Sequence, residues 1–390
     1  MSVSSKTIAV VASDCHIRSG MRLFPNSAEP SGDILVSFRQ ITDVLNALSD
    51  TPLILAGDVF DTKTCTASMV DTFRRVMAEL EGILSPLCPL YFIQGQHDAT
   101  VPPWLELLSP DTVHMHDKRI NISGVDFVGV DFCYRLSDLR GYLEKYRHDS
   151  PYVLVTHFPY SFVAEAYDML SEYDNLLAVL SGDNHVPFYM KLKNGTPFYS
   201  VGAMCPNRIS DTNKFSYLMV QLKGSNDLVI EPVSLITRPV FGEDVFSSAH
   251  VDALLEQVKV WMDVCPYDEI RRPVVVIYTN DTKLITYANY LLSEHCYLFI
   301  RTHSRKEQEV ADPVVPDQGF IELKDMFKRY ITEKFGEEFN EVAGNLFEAC
   351  RSNRDARTGY LKKVVDILWQ LFEEAKNAGD RDSHKWSDAL

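Results

Sequence analysis

Over residues 6 to about 235 the chain alternates short apolar runs with polar turns rich in glycine and aspartate. Residues 8–12, 52–56, 90–93, 152–155 and 176–180 are apolar runs of the length that buried strands take. Between them, residues 34–48 and 68–80 place apolar positions three and four apart, which predicts helices. The runs at 187–192, 197–201 and 217–222 follow one another without helical spacing, so the second half is expected to hold antiparallel or mixed sheet. The pattern predicts an α/β sandwich with loops at its strand ends.

The periodicity then changes. Val251, Leu254, Leu255, Val258 and Trp261 share one helical face, followed by a strand at 274–278, a helix around 284–292 and a strand at 297–300, which predicts a small α/β domain. Residues 304–319 are polar and contain Pro313 and Pro316, as a linker would. Phe320, Leu323, Phe327, Tyr330 and Ile331, and later Leu361, Val364, Val365, Leu368, Leu371 and Phe372, return to helical spacing. With few other elements left to pack on, these amphipathic helices are expected to dock on a partner. The expected organisation is a first domain at 1–235, a small domain at 236–303, a linker at 304–319, a helical segment at 320–380 and a polar tail at 381–390.

Composition changes this picture little: 390 residues, 46% hydrophobic and 24% charged, fit neither a disordered nor a fibrous chain. Charge changes it more. Thirty-eight basic against 54 acidic residues give −16, which repels polyanions and argues against non-specific wrapping of nucleic acid. The eight cysteines are scattered with no C-x-x-C pair, and no segment approaches a signal sequence or a membrane span. A reducing, cytoplasmic setting without membrane contact is the expectation.

The chemistry lies in five clusters, each at the end of a predicted strand, where open α/β sheets present side chains to ligands. Asp14 and His16 form D-x-H. Gly57, Asp58 and Asp61 form G-D-x-x-D. Gly95, Gln96, His97 and Asp98 follow the third strand, His157 closes the fourth, and Gly182, Asp183, Asn184 and His185 close the fifth. This oxygen and nitrogen set without thiolate suits a pair of divalent cations better than a structural zinc. Two such ions clamp the attacking and leaving oxygens of an in-line phosphoryl displacement, so the residue types point to a phosphoesterase. Cys15, between two candidate ligands, is expected to be a small packed thiol. His114 and His116 mimic a ligand pair, but with no carboxylate cluster beside them a solvated loop is expected.

In this order the clusters resemble the calcineurin-like metallophosphoesterase superfamily, whose pattern runs D-x-H, G-D-x-x-D, G-N-H-[DE], H and G-H-x-H; the resemblance covers residues 6 to about 235. It implies a two-sheet αββα sandwich, with the small α/β domain as a cap and the helical segment following. It also implies a first metal on Asp14, His16, Asp58 and His185, with Asp58 bridging to a second held by Gln96, His157 and Asp183. His97 would be the proton donor to the leaving group, oriented by Asp98, and Asp61 would orient a ligand imidazole. Two positions depart from the pattern. Gln96 replaces Asn, adding a methylene, and Asp183 replaces the first His of G-H-x-H, an exchange that favours manganese or magnesium over zinc. Ala203, in a turn where the family often has Gly-Ser, is a milder difference.

The architecture is further similar to the SbcD type of bacterial and phage nuclease, the counterpart of the Mre-eleven family. That implies a manganese-dependent DNA exonuclease and endonuclease subunit, homodimeric, whose C-terminal helices bind a coiled-coil ATPase of the SbcC or Rad-fifty type. Arg18, Arg22 and Arg208 are candidate phosphate contacts, and Trp104 is expected in the core rather than stacked on a base. A stand-alone phosphodiesterase or phosphatase for small phosphoesters, and an inactive scaffold for an ATPase, are the alternatives. The charge of −16 then reads differently, since cations would neutralise Asp14, Asp58 and Asp183 locally and a partner would supply the grip on DNA.

Overall fold

The computed structural model describes residues 5–18, 31–48, 50–85, 88–109, 112–158, 163–207, 214–223 and 227–301. The predicted linker, helical segment and tail therefore lie outside the described residues, as do Arg22 and Arg208.

Two six-stranded mixed sheets form the body. In the first, β12 (Asp227–Ser234), β11 (Ser216–Lys223), β1 (Ser5–Ala12), β2 (Leu53–Ala56), β3 (Leu90–Ile93) and β4 (Thr112–His114) are neighbours in that order. From β1 to β4 they run parallel, while β11 pairs antiparallel with both β1 and β12. In the second the order is β5 (Lys118–Ile122), β6 (Val125–Val130), β7 (Tyr152–His157), β8 (Leu176–Gly182), β10 (Pro197–Ser200) and β9 (Phe188–Lys191). There β6, β7, β8 and β10 are parallel, with β5 and β9 antiparallel at the edges. The mixed pairing expected for the second half is present.

Period-two alternation along the central strands divides the core into layers. Val10, Leu53, Leu55 and Phe92 pack on Ile34, Phe38 and Ile41 of α1 (Ser31–Ala47) and Met69 and Phe73 of α2 (Ala67–Glu79). Their neighbours Val11, Ile54, Ala56 and Ile93 face the other sheet and meet Phe127, Val153, Val155 and Leu180. On the far side Val128, Leu154 and Val179 pack on Leu139 and Leu143 of α4 (Leu136–Tyr146) and Met169 and Leu170 of α5 (Val163–Leu170). The order helix, sheet, sheet, helix is the predicted sandwich. Each buried Leu, Ile, Val or Phe contributes about 1.5–3 kcal/mol, so these strands are held from both faces. The short α3 (Trp104–Leu108) starts at Trp104, which packs on the first core as expected while its Nε1 donates to the Lys63 carbonyl.

The small α/β segment is a parallel three-stranded sheet, β13 (Val240–Asp244), β14 (Val274–Tyr278) and β15 (Tyr297–Arg301), with α6 (Ser248–Val264) and α7 (Thr282–Leu292) packed on it. Its anchor on the body is Arg238, buried at 2% exposure, whose guanidinium meets Asp33 of α1 at 2.8 Å and donates to the carbonyls of Glu269 and Arg272. Arg39 of α1 adds an ion pair to Glu269 at 3.0 Å, and Val36 packs on Cys265 and Ile270. No helix among the described residues is long and apolar enough to cross a membrane.

Candidate metal centre at the strand ends

Five parallel strands, β1, β2 and β3 of one sheet and β7 and β8 of the other, end side by side, and each delivers part of one cluster. Beyond β1 and β2 the two chains stay paired: the amides of Asp14, His16 and Ile17 donate to the carbonyls of Gly57, Asp58 and Val59. This ladder forces tight bends. Asp14, His16, Asp58 and Asp183 have φ of 52, 46, 50 and 78°, the left-handed region that Asp, Asn and His tolerate best among residues with a Cβ. Strained backbone of this kind gathers at functional sites, where the surrounding structure over-determines it. Gly95 is required for another reason: a Cβ there would run into the Asp58 carboxylate and amide.

Six of these side chains converge. Asp58 Oδ2 lies 3.5 Å from His157 Nε2, 3.7 Å from His16 Nε2 and 3.9 Å from His97 Nε2. Asp14 Oδ1 lies 3.8 Å from His16 Nε2 and 4.0 Å from His185 Nε2, and those two ring nitrogens are 3.1 Å apart. Three groups of donor atoms, Asp14–His16–His185, His16–Asp58–His97 and Asp14–Asp58–His157, each fit within 4.8 Å. Sharing of Asp14, His16 and Asp58 between groups is what a two-ion centre needs. His157 sharpens the fit, because its Nδ1 is held 2.8 Å from the Ala56 carbonyl while its buried Nε2, aimed at Asp58, has no hydrogen-bond partner. A buried orphan nitrogen of this kind is costly unless a cation or proton serves it.

Electrostatics agree. Burial raises the Asp14 carboxyl above its usual range. Burial alone would raise Asp58 too, but the His157 imidazole, helped by His16 and the His97 amide, holds it well below the usual carboxylate range. Burial likewise opposes a charged His157, yet Asp58, Asp14 and the Ala56 carbonyl bring its pKa up to about 10. The centre thus stabilises positive charge in its interior.

Around these groups stands a supporting layer. Ser13 Oγ donates to Asp14 Oδ2 at 2.7 Å. Asp61 Oδ1 lies 3.2 Å from His16 Nδ1, within ion-pair distance but out of line for a hydrogen bond, and its Oδ2 accepts from Arg18 at 3.1 Å. Asp61 thus stands beside the His16 imidazole, and Arg18 faces Asp61. Asp98 corrects an expectation: its carboxylate accepts from the amides of Gly95, Val59 and Phe60, so it ties the β2 and β3 loops together and makes no hydrogen bond to the His97 ring. Burial and the Asp58 charge push its pKa up to about 6. His97 hangs from the same framework through its amide, which donates to Asp58 Oδ1 at 2.9 Å.

Two expected ligands, Gln96 and Asp183, meet each other. Gln96 Nε2 donates to Asp183 Oδ1 at 2.6 Å, and Asp183 belongs to none of the groups found among the described residues. An open cavity of about 310 Å³ reaches the centre, lined by His16, Arg18, Gln96, His97, Asp183, Asn184 and Asn207 among others. Asn207 and the buried Gln94 carry no motif and escape sequence reasoning. Gln94 holds the His97 loop from behind, its Nε2 donating to the carbonyls of Asp98 and Thr100.

Cys15 is the packed thiol expected, buried with its Sγ 3.3 Å from Met204 Sδ. His114 and His116 are half-buried and bonded, not a free loop: His114 stacks on Phe92 and bonds to Asp131 at 2.9 Å, while His116 Nδ1 accepts from the Asp131 amide. Asp131 in turn accepts from the Gln94 amide at 2.8 Å, so this pair buttresses the same loop.

No family model matches the chain. No curated protein matches it. Similar solved structures include a dimetal phosphatase from Danio rerio, with TM-score 0.41 and 12% identity over 61% of this chain and 98% of that one. A predicted phosphoesterase from Streptococcus pneumoniae gives 0.30 and 12% over 59% and 90%. The calcineurin-like phosphoesterase YfkN from Bacillus subtilis gives 0.36 and 10% over 59% and 91%.

Proposed function

We propose that this protein is a metal-dependent phosphoester hydrolase working with two divalent cations. The observation that carries the reading is the sharing of Asp14, His16 and Asp58 among three donor groups at the mouth of one open cavity. Asp14, His16 and His185 would hold one ion and Asp58 with His157 the other, a mixed carboxylate and imidazole set for which manganese or magnesium is proposed. Such ions supply Lewis-acid activation of water and neutralise charge on phosphoryl oxygens. The chain's own residues do the rest. His97, at the cavity wall and held by its amide, would carry a proton for the leaving oxygen. Asp98 and Gln94 hold its loop, and Asp61 would steady the His16 ring by charge while engaging Arg18.

Within this class, the order of the motifs and the α/β segment after them favour DNA phosphodiester bonds as the substrate. The chain would then be an exonuclease and endonuclease subunit of the SbcD type, acting in DNA repair or recombination in the cytoplasm with an SbcC-like ATPase bound through residues 320–380. The net charge of −16 supports a division of labour in which the partner grips the duplex. A second reading, hydrolysis of small phosphoesters without a partner, is favoured by the cavity of about 310 Å³, in which Arg18 is the one arginine among the described lining residues and it engages Asp61. Incubating the full chain and manganese with an aryl phosphodiester and with labelled linear duplex tests both. Turnover of the ester is expected. Duplex cleavage that appears only with the ATPase supports the subunit, ester turnover without duplex cleavage under either condition supports the second reading, and turnover of neither removes the hydrolase.

A further inference from the structure

Gln96 and Asp183, 87 residues apart, depart from the motif pattern separately in sequence, yet in space they are partners at 2.6 Å. A bond this short between an amide and a carboxylate is charge-assisted, and it fixes the polarity of the Gln96 side chain. Facing an anion, the amide must present its NH2 end, which leaves its carbonyl oxygen as the only end able to serve a cation. Asp183 is engaged from its backbone as well: its amide donates to both oxygens of Asp14, at 3.2 and 3.3 Å, from a left-handed conformation with φ 78°. Its carboxylate is absent from every donor group among the described residues.

We infer that Asp183 is a positioning residue and not a metal ligand. Its amide braces Asp14, its carboxylate turns Gln96, and Gln96 supplies the oxygen donor that the resemblance assigns to both. The longer Gln side chain and the Asp form one compensated unit. The inference rests on the two-ion reading of the centre, and its test reads binding so that a failure of the catalytic reading is seen apart from it.

The test is manganese titration of the full chain by calorimetry, with the melting midpoint followed alongside. Asp183→Gly accepts the left-handed backbone without strain and keeps the amide to Asp14, and it is expected to weaken one of the two ions about 10- to 100-fold. Asp183→Asn keeps an acceptor oxygen for Gln96 and is expected to recover most of that loss. In a Gln96→Ala background, Asp183→Gly is expected to change affinity by less than about twofold, because its effect runs through the missing side chain. Multiplying losses in the double variant, or an Asp183→Asn as weak as Asp183→Gly at an unchanged melting midpoint, would show an independent ligand and overturn the inference. A wild-type chain holding fewer than two ions overturns it too. If Asp183→Gly does not fold, Asp183→Asn decides: near wild-type affinity upholds the inference and loss of one ion refutes it. Two ions bound without hydrolysis refutes the hydrolase and leaves the inference standing.

Discussion

His157 Nε2 lies 3.5 Å from Asp58 Oδ2, both side chains almost wholly buried, while the Ala56 carbonyl fixes the other ring nitrogen at 2.8 Å. Without a cation, a proton on His157 is the nearest positive charge to answer Asp58 there. The ring's pKa of about 10 exceeds the ordinary 6.5, so its contribution to stability is complete below about pH 6.5 and is lost as pH rises through about 10. A metal ion requires the neutral ring and must expel that proton. Titration of the metal-free chain with manganese near pH 8 in weak buffer is therefore expected to release about one proton more from wild type than from His157→Gln. Equal release would place the proton elsewhere.

Gly95 tests the packing under the centre. Its missing Cβ makes room for the Asp58 carboxylate and amide, so Gly95→Ala must push the β2 and β3 loops apart. Overpacking of this kind costs about 1–3 kcal/mol. A lower melting midpoint together with weaker manganese binding is expected, whereas Gly141→Ala, which meets nothing and sits inside α4, should leave manganese binding unchanged and raise the midpoint slightly.

His97 and Asp98 should separate cleanly despite being neighbours. His97→Gln is expected to lower kcat about 10²- to 10⁴-fold with both ions retained, as measured by steady-state kinetics beside metal analysis. Asp98→Ala strips acceptors from three buried amides, so its main effect is a loss of stability, at about 1–3 kcal/mol for each amide left unsatisfied. If Asp98→Ala instead melts like wild type and changes only the pH profile of kcat, the carboxylate acts on the His97 ring after all.

Arg238 joins the small sheet to α1 through Asp33. Arg238→Met takes the guanidinium away from a buried carboxylate, and removing one partner of such a pair costs about 3–5 kcal/mol. Denaturant unfolding is expected to show that loss, with Asp33→Leu/Arg238→Met recovering part of it. A double variant no more stable than the single one would show that the carbonyls of Glu269 and Arg272, not Asp33, set the cost.

Much of this was legible from periodicity. The central strands are unmixed apolar runs because both of their faces are buried, as Val10 against α1 and Val11 against the second sheet illustrate. The candidate ligand clusters were legible because each stands at the polar end of such a run. The edge strand β5 was not: it carries Lys118, Arg119 and Asn121, and half of it faces water. Pairings over long separations were equally hidden. Nothing in the order of residues says that Gln96 meets Asp183, that Asp98 spans to Val59, or that Asp33 waits for Arg238, since those meetings depend on which strands become neighbours.

Candidate donors come from both sheets, residues 14, 16 and 58 from one and residues 157 and 185 from the other. An ion held between them is a cross-link through the middle of the sandwich, closing most of the chain from β1 to β8 into a ring. Like a disulfide of long span, such a link acts on the unfolded chain as much as on the folded one, by removing the separations that its ends could otherwise explore. The same cations that would do chemistry at the cavity would also make the two halves of the domain fold as one.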